Sequence, residues 1–283
     1  MPELPEVETI RLGLQKKIVG LKIRKVKVLN PKSFQADPRL LQGKKVLRIF
    51  RKAKVLGIEL ESELVLLIHL KMSGQLIFES DNKLVGGHPT KDMFGEMPNR
   101  STRVIFEFSD GSKLYFNDQR KFGWIKLIKN SELSVQSFLS RLGPEPLEKE
   151  FSWQVLKQNL LRRKTQAVKV ALLDQQIVSG IGNIYASEAC FLAKINPKTK
   201  VSEMTLDQFK NLHQAIIKSL QRAIKYGGSS KTHFVNEVGK KGYFLDYAFV
   251  YGREGDICKV CSHLIKKIKL NARGTYFCPH CQR

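Results

Sequence analysis

The chain has 283 residues, 42% of them hydrophobic and 27% charged, which is typical of a globular protein with room for two domains. It contains no apolar run near the ~20 residues that a membrane-spanning helix needs, and this excludes a helical membrane protein. Its 49 Lys and Arg residues exceed its 26 Asp and Glu residues for a formal net charge of +23, spread along the whole chain, which indicates a polyanionic partner rather than a basic tail.

The first half of the chain is predicted to be one helix followed by strands. After the acidic opening MPELPEVET, Pro5–Gly20 has a proline at its start, acids in its first turn and lysines near its end, as expected of a helix. From Leu21 to about Ile128 the apolar residues alternate, and seven or eight strand candidates separated by turn signals predict an antiparallel sandwich or barrel-like sandwich. Ser80–Asn99 is predicted to be a long loop.

The second half of the chain is predicted to be mainly helical. RLGPEPLEKE, at Arg141–Glu150, marks a domain boundary. Residues 205–228 predict an amphipathic helix that begins at a capping box of Thr205 and Gln208 and ends at Gly227. The C-terminal segment returns to short strands.

A glycine-rich turn, SGIGN, precedes another predicted helix, GNIYASEACFLA. Backbone N–H groups at a helix start attract anions, and Gly180 and Gly182 would let a phosphate approach closely. Asn183 could cap the helix or bond to the phosphate. The basic residues just upstream, Arg162, Arg163, Lys164 and Lys169, would add to the attraction. From local sequence alone, an ordinary loop and helix cap explains the same residues equally well.

The C-terminal segment has the cysteine spacing of a zinc site. Two C-x-x-C pairs separated by sixteen residues place thiolates on two tight knuckles, which together complete a tetrahedron. The predicted ligands are Cys258, Cys261, Cys278 and Cys281. Four protein ligands leave no position for water, so the zinc is expected to be structural. Between the pairs, two basic strands around Asn271–Gly274 are predicted to form a hairpin that presents Arg273.

The fifth cysteine and two histidines close to the cysteine pairs are not expected to bind the zinc. Cys190 lies on the apolar face of a predicted helix and is expected to be a core residue. His263 and His280 are alternative ligands, but four cysteines already saturate a zinc ion. A metal pattern in place of a disulfide framework, with no leader sequence, predicts a reducing cytoplasmic setting.

The acidic opening of a basic chain has two interpretations. Removal of Met1 would leave Pro2 as an N-terminal secondary amine, and an α-amino group has a pKa near ~8, well below the ~10.4 of lysine. Such an amine is nucleophilic and forms an iminium with an aldehyde, while Glu3 could shuttle protons. From these residues alone, the simpler interpretation is a helix start whose acids complement the helix dipole.

Seven motifs then change the balance between these interpretations. They are, in chain order, MPELPEVET, HLKMSG (His69–Gly74), DQRKFG (Asp118–Gly123), LGPEPL, GIGNIYASE, YGREG and the finger ending TYFCPHCQR. Together they closely resemble the bacterial formamidopyrimidine-DNA glycosylases, repair enzymes for 8-oxoguanine, and the resemblance covers essentially the whole chain.

The resemblance implies an α+β multidomain protein. An N-terminal antiparallel β-sandwich with an N-terminal helix would form the catalytic domain over residues 1–130, with a linker over residues 131–150. A helix–two-turn–helix DNA-binding domain with a base-capping loop would follow over residues 151–244, and a four-cysteine zinc finger over residues 245–283. This arrangement agrees with the division reached from the residues themselves.

Catalytic roles follow from the resemblance position by position. Pro2 matches the nucleophile that attacks C1′ of the damaged nucleoside, and Glu3 matches the acid that assists ring opening and base release. Lys54 matches a lysine that donates a proton during β-elimination and contacts phosphate. Arg273 matches the finger arginine of δ-elimination, and Glu6 matches a supporting acid near the nucleophile.

DNA contacts are implied in the same way. Met72, Arg120 and Phe122 match three residues that enter the duplex where the lesion has flipped out, and the arginine can bond to the edge of the orphan cytosine. The residues that match other DNA contacts are His69, Lys164 and Asn183. For any one of these residues alone, core packing or an ordinary surface position would be the simpler interpretation.

The sequence departs from the family pattern in two places. Ser101 stands where the family commonly has a histidine that contacts DNA, and His88 could compensate only if its loop folds back. The segment Gly227–Phe244, which corresponds to the base-capping loop, is divergent, and this leaves the lesion preference open.

The leading expectation is a bifunctional DNA glycosylase and abasic-site lyase of base excision repair that removes 8-oxoguanine and formamidopyrimidines. Its partner would be double-stranded DNA with oxidised bases or abasic sites, and it would act without a membrane, as a monomer, in the bacterial cytoplasm and on the nucleoid. One alternative is an endonuclease VIII-like glycosylase for oxidised pyrimidines. The other is a non-catalytic zinc-ribbon protein that binds nucleic acid.

Overall fold

A computed structural model of the protein describes residues 1–80, 84–88, 95–229 and 244–283. The chain divides into two compact units. The first comprises Met1–Ser140 and, among the described residues, Tyr226–Ser229, and the second comprises Arg141–Lys225 and Phe244–Arg283. The four-part division at residues 130, 150 and 244 stays a prediction.

The first unit begins with helix α1 (Leu4–Ile18), which confirms the predicted helix. Pro5 lies in its first turn, and Glu3 and Glu6 form a capping box at its start. Its buried stripe packs into the core and consists of Leu4, Val7, Ile10, Leu14 and Ile18. Because an apolar side chain of this size contributes roughly 1.5–3 kcal/mol when fully buried, this stripe fixes α1 firmly against the sheets.

The strands of the first unit form two five-stranded sheets. In chain order they are β1 (Ile23–Val28), β2 (Phe34–Gln35), β3 (Val46–Lys52), β4 (Val55–Leu60), β5 (Leu64–His69), β6 (Gly74–Glu79), β7 (Leu84–Gly87), β8 (Thr102–Phe108), β9 (Lys113–Asp118) and β10 (Trp124–Lys129). The sheet orders are β1-β8-β9-β6-β7 and β2-β10-β5-β4-β3. All pairings are antiparallel except β2 with β10, so the predicted antiparallel β-sandwich is confirmed.

One core joins the facing sides of these sheets with the buried stripe of α1. Ile58, Leu66 and Ile68 come from one sheet, and Phe106 and Phe116 come from the other. Along their strands these residues alternate with residues that lie outside this core, which is the period of two expected of strands, although many of those neighbours are themselves buried. The short helix α2 (Ser137–Ser140) ends the continuous part of this unit.

The prediction of one long loop over Ser80–Asn99 is wrong in one segment. Leu84–Gly87 forms β7, which pairs with β6. Four residues that include two glycines are too short to show an alternating pattern, so this strand has no recognisable signal in the sequence. Residues 81–83 and 89–94 of the predicted loop lie outside the described residues.

The second unit is helical before it reaches the cysteines. Its helices are α3 (Trp153–Leu161), α4 (Val168–Ala171), α5 (Asn183–Leu192), α6 (Leu206–Lys225) and α7 (Phe244–Tyr247). The predicted capping box is confirmed, because Thr205 N–H donates to the Gln208 side chain at 2.9 Å and Gln208 N–H donates to Thr205 Oγ1 at 3.2 Å. Within the described ranges, no helix combines the length and apolarity needed to cross a membrane.

A two-stranded hairpin ends the chain, with β11 (Lys266–Leu270) and β12 (Arg273–Phe277) as its arms. The segment before it is attached to α5 by Glu188, a fully buried residue that accepts N–H bonds from Phe249, Val250 and Tyr251 at 2.9 Å each. Burial raises the pKa of Glu188, although these three donors oppose the shift. Cys190 is buried in α5, which confirms it as a core residue.

Candidate active site and nucleic-acid interface

The start of α1 holds the predicted nucleophile and its acids. Pro2 is buried, and Glu3 is only 3% exposed. Glu3 N–H donates to Glu6 Oε2 at 2.7 Å, and Ser229 N–H donates to Glu6 Oε1 at 2.7 Å. One oxygen of the Glu6 carboxylate therefore fixes the first turn of α1, and the other oxygen holds the backbone of Ser229. Gly228 has φ +78°, and a Cβ there would come within 3.1 Å of Glu6 Oε1, so this approach requires glycine.

Lys54 lies on the tight turn between β3 and β4 and is 6% exposed. The preceding residue, Ala53, has φ +51°, and its carbonyl accepts a hydrogen bond from Arg51 Nη1 at 3.1 Å. Arg51 Nε donates in turn to Glu8 Oε2 at 3.1 Å. A salt bridge from α1 thus supports the backbone of the turn that presents Lys54.

Glu8 is the centre of that support. Burial alone would raise its pKa, but hydrogen bonds and charge from Arg11, together with Arg51, lower the pKa of Glu8 below its ordinary value. Sequence reasoning missed both Glu8 and Arg51, because no local pattern pairs residues that are 43 positions apart. Through the Ala53 carbonyl, both residues support the backbone of the turn that presents Lys54.

His69, the last residue of β5, is prepared as a neutral donor. Its Nδ1 accepts the backbone N–H of Lys71 at 3.0 Å, so its own proton lies on Nε2. Burial, followed by the charges of Lys71 and Lys54, lowers the pKa of His69 to about 3. The ring also packs against Trp124, with centroids 5.6 Å apart. A neutral imidazole with its proton on Nε2 can donate to a phosphate oxygen. Because the pKa of His69 is about 3, its charge does not change near neutral pH.

The three predicted duplex-filling residues lie on two turns of the first unit. Met72 is half-buried on the turn between β5 and β6. Arg120 and Phe122 are exposed on the turn between β9 and β10, and the Arg120 guanidinium lies 4.9 Å from the Phe122 ring centroid. The Phe122 side chain is 54% exposed and therefore contributes little to the core.

Ser101, which replaces the usual histidine, is not a surface position. It is 3% exposed, its N–H donates to Asn99 Oδ1 at 3.0 Å, and its carbonyl accepts from Asp118 N–H at 2.8 Å. His88 lies beside β6, where its N–H donates to the Gly74 carbonyl at 3.1 Å. Burial and then the charge of the chain's N-terminal amine lower the pKa of His88. Compensation by His88 stays a prediction.

In the second unit, the glycine turn leads into a buried polar cluster. Gly182 precedes the first helical residue, Asn183, so Asn183 is not the helix cap. Its side chain instead accepts from Lys169 Nζ and donates to the Gly274 carbonyl at 2.9 Å. Lys169 is fully buried and also donates to Thr275 Oγ1 at 3.0 Å. Lys164, by contrast, is exposed.

Sequence reasoning identifies Lys169 only as one member of a basic run and misses its place in this cluster. A lysine is almost never fully buried without partners, so its contacts carry structural weight. The cluster joins the start of α5 to the second arm of the hairpin. Arg273 lies at the exposed start of that arm, directly after the two-residue turn of Asn271 (φ +42°) and Ala272 (φ +59°), so the predicted hairpin is confirmed.

The four predicted ligands converge as a metal site requires. All four sulfurs lie within 4.8 Å of one another, with Cys258 to Cys281 at 3.9 Å and Cys261 to Cys278 at 3.4 Å. Zinc–sulfur bonds of about 2.3 Å in a tetrahedron give sulfur separations near ~3.8 Å, so the cluster fits a structural zinc.

The chemistry of the sulfurs agrees with this fit. The backbone N–H of His263 lowers the pKa of Cys261 to about 6, whereas burial raises the pKa of Cys278. Four thiolates this close therefore need a cation to coexist. His263 and His280 stack beside the cluster with centroids 4.2 Å apart and are exposed. A zinc ion held by the four cysteines needs neither of them.

A two-sheet unit with an acidic helix start and a four-cysteine hairpin define a class of protein, the zinc-finger DNA glycosylases of base excision repair. Residues 1–125 match the formamidopyrimidine-DNA glycosylase N-terminal domain, residues 142–235 its H2TH domain, and residues 255–283 the zinc finger found in FPG and IleRS. The chain belongs to the formamidopyrimidine-DNA glycosylase family.

Relatives match the chain over its full length. It is 39% identical to the formamidopyrimidine-DNA glycosylase of Ligilactobacillus salivarius over 286 residues, which covers 100% of this chain and 99% of the relative. It is 36% identical over 288 residues to the enzyme of Listeria innocua, with 100% of both chains covered. Among solved structures, the Lactococcus lactis enzyme in complex with abasic-site DNA has a TM-score of 0.86 at 32% identity, with 99% of each chain covered.

A second structure of the Lactococcus lactis enzyme is equally similar. It is a complex of the wild-type protein with DNA that contains N7-benzyl-Fapy-dG, and it has a TM-score of 0.86 at 32% identity with 100% of both chains covered. Sequence identity of 32% to 39% over whole or nearly whole chains supports the same enzyme class as well as the same fold. The protein is a DNA glycosylase, and its four-cysteine finger holds a structural zinc.

Proposed function

We propose that this glycosylase removes oxidised purines from double-stranded DNA and then cleaves the strand as an abasic-site lyase, with Pro2 as the nucleophile. The observation that carries the proposal is the buried start of α1. There Pro2 and Glu3 are shielded from solvent, and Glu6 holds the Glu3 backbone at 2.7 Å. A capping box occurs at many helix starts, but a helix start that served only as a cap would not need Pro2 and Glu3 to be buried.

The first chemical step exchanges one bond at the sugar for another. After removal of Met1, the Pro2 nitrogen uses its lone pair to attack C1′, and the bond between C1′ and the base breaks. The base leaves with the bonding electrons and takes up a proton. Glu3 delivers a proton as the sugar ring opens, and its position next to Pro2 and its burial support this role. The Pro2 nitrogen gives up its N–H proton, and its lone pair then forms a double bond to C1′ as the bond between C1′ and the ring oxygen breaks. The ring oxygen leaves with the bonding electrons and takes the proton, and the product is an iminium between Pro2 and the opened sugar.

The iminium then drives strand cleavage. Loss of a proton from C2′ sends electrons toward the cationic nitrogen and expels the 3′ phosphate, and a second proton loss leads to departure of the 5′ phosphate. Lys54 donates a proton in the first elimination, and the hydrogen bond from Arg51 to the Ala53 carbonyl supports the turn that carries it. Arg273, exposed on the hairpin, assists the second elimination.

DNA binding in this proposal depends on charge and on fixed donors. The net charge of +23 supplies counterion release, the neutral Nε2–H of His69 donates to one phosphate, and exposed Lys164 neutralises another. The partner is a duplex with oxidised bases or abasic sites, and the Lactococcus lactis complexes support this, because they contain abasic-site DNA and DNA with a formamidopyrimidine, N7-benzyl-Fapy-dG. We infer a monomer that acts on the nucleoid in the bacterial cytoplasm, since each glycosylase molecule needs one lesion and its relatives are bacterial.

Borohydride trapping tests the proposal. The protein is incubated with a duplex that carries 8-oxoguanine opposite cytosine, with sodium borohydride present to reduce any iminium. We expect a covalent protein–DNA adduct whose N-terminal peptide begins at Pro2. The adduct should be absent from the Pro2→Gly variant and from a form that retains Met1.

A matched duplex with thymine glycol separates this proposal from an oxidised-pyrimidine glycosylase. Faster base release from thymine glycol than from 8-oxoguanine would overturn the substrate assignment. An adduct in the form that retains Met1 would overturn the role of Pro2. Base release without an adduct would overturn the lyase step, and binding with neither base release nor an adduct would favour a protein that only binds nucleic acid.

A further inference from the structure

The two turns that carry Met72, Arg120 and Phe122 meet at one buried hydrogen bond. Ser73 Oγ donates to Asp118 Oδ1 at 2.5 Å, although the two residues are 45 positions apart. Ser73 is 3% exposed, and Asp118 is fully buried. Ser73 directly follows Met72, and Asp118 ends β9 two residues before Arg120.

The same hydroxyl and carboxylate also hold the second turn. Arg120 N–H donates to Ser73 Oγ at 2.9 Å and to Asp118 Oδ1 at 3.2 Å. Gly123 N–H donates to Asp118 Oδ2 at 2.6 Å. Asp118 therefore spans the turn from its start to its end, and Ser73 connects that turn to Met72.

The position of Gly123 shows how tightly the turn closes on the carboxylate. A Cβ at this residue would lie 2.7 Å from Phe116 Cζ and 3.0 Å from Asp118 Oδ2. Arg103 Nε also donates to the Asp118 carbonyl at 2.8 Å, which fixes the end of β9 from outside. The carboxylate thus lies in a closed, fully bonded environment.

Both turns need this support. Lys71 has φ +48° and Lys121 has φ +59°, a left-handed conformation that residues other than glycine avoid. Arg120 and Phe122 project from the second turn and are exposed, so core packing does not place them. Their positions relative to Met72 are set by the backbone, and the backbone is held by Ser73 and Asp118.

We propose that Ser73 and Asp118 are positioning residues that keep Met72 in register with Arg120 and Phe122 and so determine how strictly the enzyme reads the base opposite the lesion. The inference rests on the proposed function, in which these three side chains occupy the space left by the flipped nucleotide. A hydrogen bond to a base edge discriminates only when donor and acceptor are aligned. A small shift of the turn that carries Met72 relative to the turn that carries Arg120 and Phe122 therefore reduces the discrimination between opposite bases more than it reduces the reaction rate at C1′.

The test compares Ser73→Ala and Asp118→Asn with a matched control pair in the same unit. In the turn between β8 and β9, Ser112 Oγ donates to Asp110 Oδ1 at 2.6 Å, so Ser112→Ala and Asp110→Asn remove the same kind of bond elsewhere. Each protein is assayed under single-turnover conditions for excision of 8-oxoguanine opposite cytosine and opposite adenine. Cleavage of a single-stranded abasic oligonucleotide is measured in parallel, because that substrate has no opposite base.

We expect Ser73→Ala and Asp118→Asn to reduce the preference for cytosine over adenine about tenfold or more, as misplaced contacts commonly do. Cleavage of the single-stranded abasic substrate should stay within about twofold of the wild type, since its chemistry does not use the two turns. The control pair should match the wild type in both assays.

Two results would overturn the inference. One is a cytosine preference in Ser73→Ala equal to that of the wild type. The other is an equal reduction of activity on every substrate, which would mean that the bond only maintains the fold. If Asp118→Asn fails to fold, Ser73→Ala decides the question alone. A wild-type protein that releases no 8-oxoguanine would instead refute the proposed function, and that outcome is distinct from both of these.

Discussion

Glu6 holds Glu3 by its backbone: the Glu3 N–H donates to one oxygen of the Glu6 carboxylate at 2.7 Å, and both residues are 3% exposed. The other oxygen accepts the N–H of Ser229, also at 2.7 Å. Both oxygens of one buried carboxylate are therefore occupied by backbone donors. Any group that cannot accept at both positions will disturb the start of α1 and hence the residue next to the proposed nucleophile.

Glu6→Gln should slow base excision about five- to hundredfold. An amide can accept at one position only, and its NH₂ group would face a second buried N–H, an unmet bond that costs ~1–3 kcal/mol. Single-turnover excision of 8-oxoguanine measures the effect. Glu63→Gln, which changes an exposed acid of the same unit, serves as the control. An excision rate equal to that of the wild type would show that the Glu6 carboxylate does not position Glu3.

Glu3→Gln should separate the two activities. Excision of an intact damaged base should be nearly abolished, because the sugar ring and the base both require a proton donor. Cleavage of a preformed abasic site should persist in part, since no base remains to be released. Parallel assays on 8-oxoguanine and abasic duplexes measure the ratio. Equal reductions on both substrates would contradict the assigned role of Glu3.

Arg51→Met should impair the lyase step more than DNA binding. The change removes the donor to the Ala53 carbonyl and leaves Glu8 without one of its two arginines, so the turn that presents Lys54 loses its support. The measurement is single-turnover cleavage of an abasic duplex beside the dissociation constant for the same duplex. Arg48→Met, on the same strand with its guanidinium largely exposed, is the control. A defect confined to binding would rule out the supporting role.

His69 should make stability depend on pH in the acidic range. Its pKa falls from 6.5 to about 3 on folding, so between these values the unfolded chain binds the extra proton. Stability at this site should therefore rise with pH from about 3 to about 6.5 and then level off, with a slope of at most ~1.4 kcal/mol per pH unit. Urea unfolding of the wild type and of His69→Gln between pH 5 and pH 8 checks this. Identical pH profiles for the two proteins would contradict it.

Cys258→Ser should release zinc and disorder the hairpin. We expect weaker DNA binding and a plot of log affinity against log salt that is shallower by about one unit for each phosphate that the variant no longer neutralises, with Arg273 as the leading candidate. Metal content and binding at several salt concentrations provide the readout. Cys190→Ala, at the cysteine buried in α5, should keep its zinc. Unchanged affinity after zinc release would mean that the finger is dispensable for binding.

How much the sequence can predict depends on the distance between interacting residues. The capping box of Thr205 and Gln208 is local, three residues apart, and its prediction is confirmed. The zinc ligands can be predicted in the same way, because the two cysteines of each C-x-x-C pair lie on one short knuckle. The bond between Ser73 and Asp118 joins a turn to the end of a strand, and the salt bridge between Glu8 and Arg51 joins α1 to β3. These elements come close to each other only after the sheets have formed.

The strand β7 illustrates a second limit. Its two glycines remove the side chains from which an alternating pattern would be read, although a Cβ at Gly86 would overlap the Ile10 side chain. The lack of a side chain is what allows α1 to approach so closely there. In a prediction from composition alone, the same glycines indicate a loop. The roles of individual site residues stay predictions that the experiments above address.

The buried lysine between α5 and the hairpin has a consequence for energetics. Because Lys169 bonds to both Asn183 and Thr275, a phosphate that draws the Asn183 side chain outward also pulls on the arm that begins at Arg273. The contacts that Asn183 and Arg273 make with the DNA strand should then be cooperative. Single substitutions at Asn183 and Arg273 would each remove part of the other's contribution, and their separate effects on affinity should sum to more than the effect of the double variant.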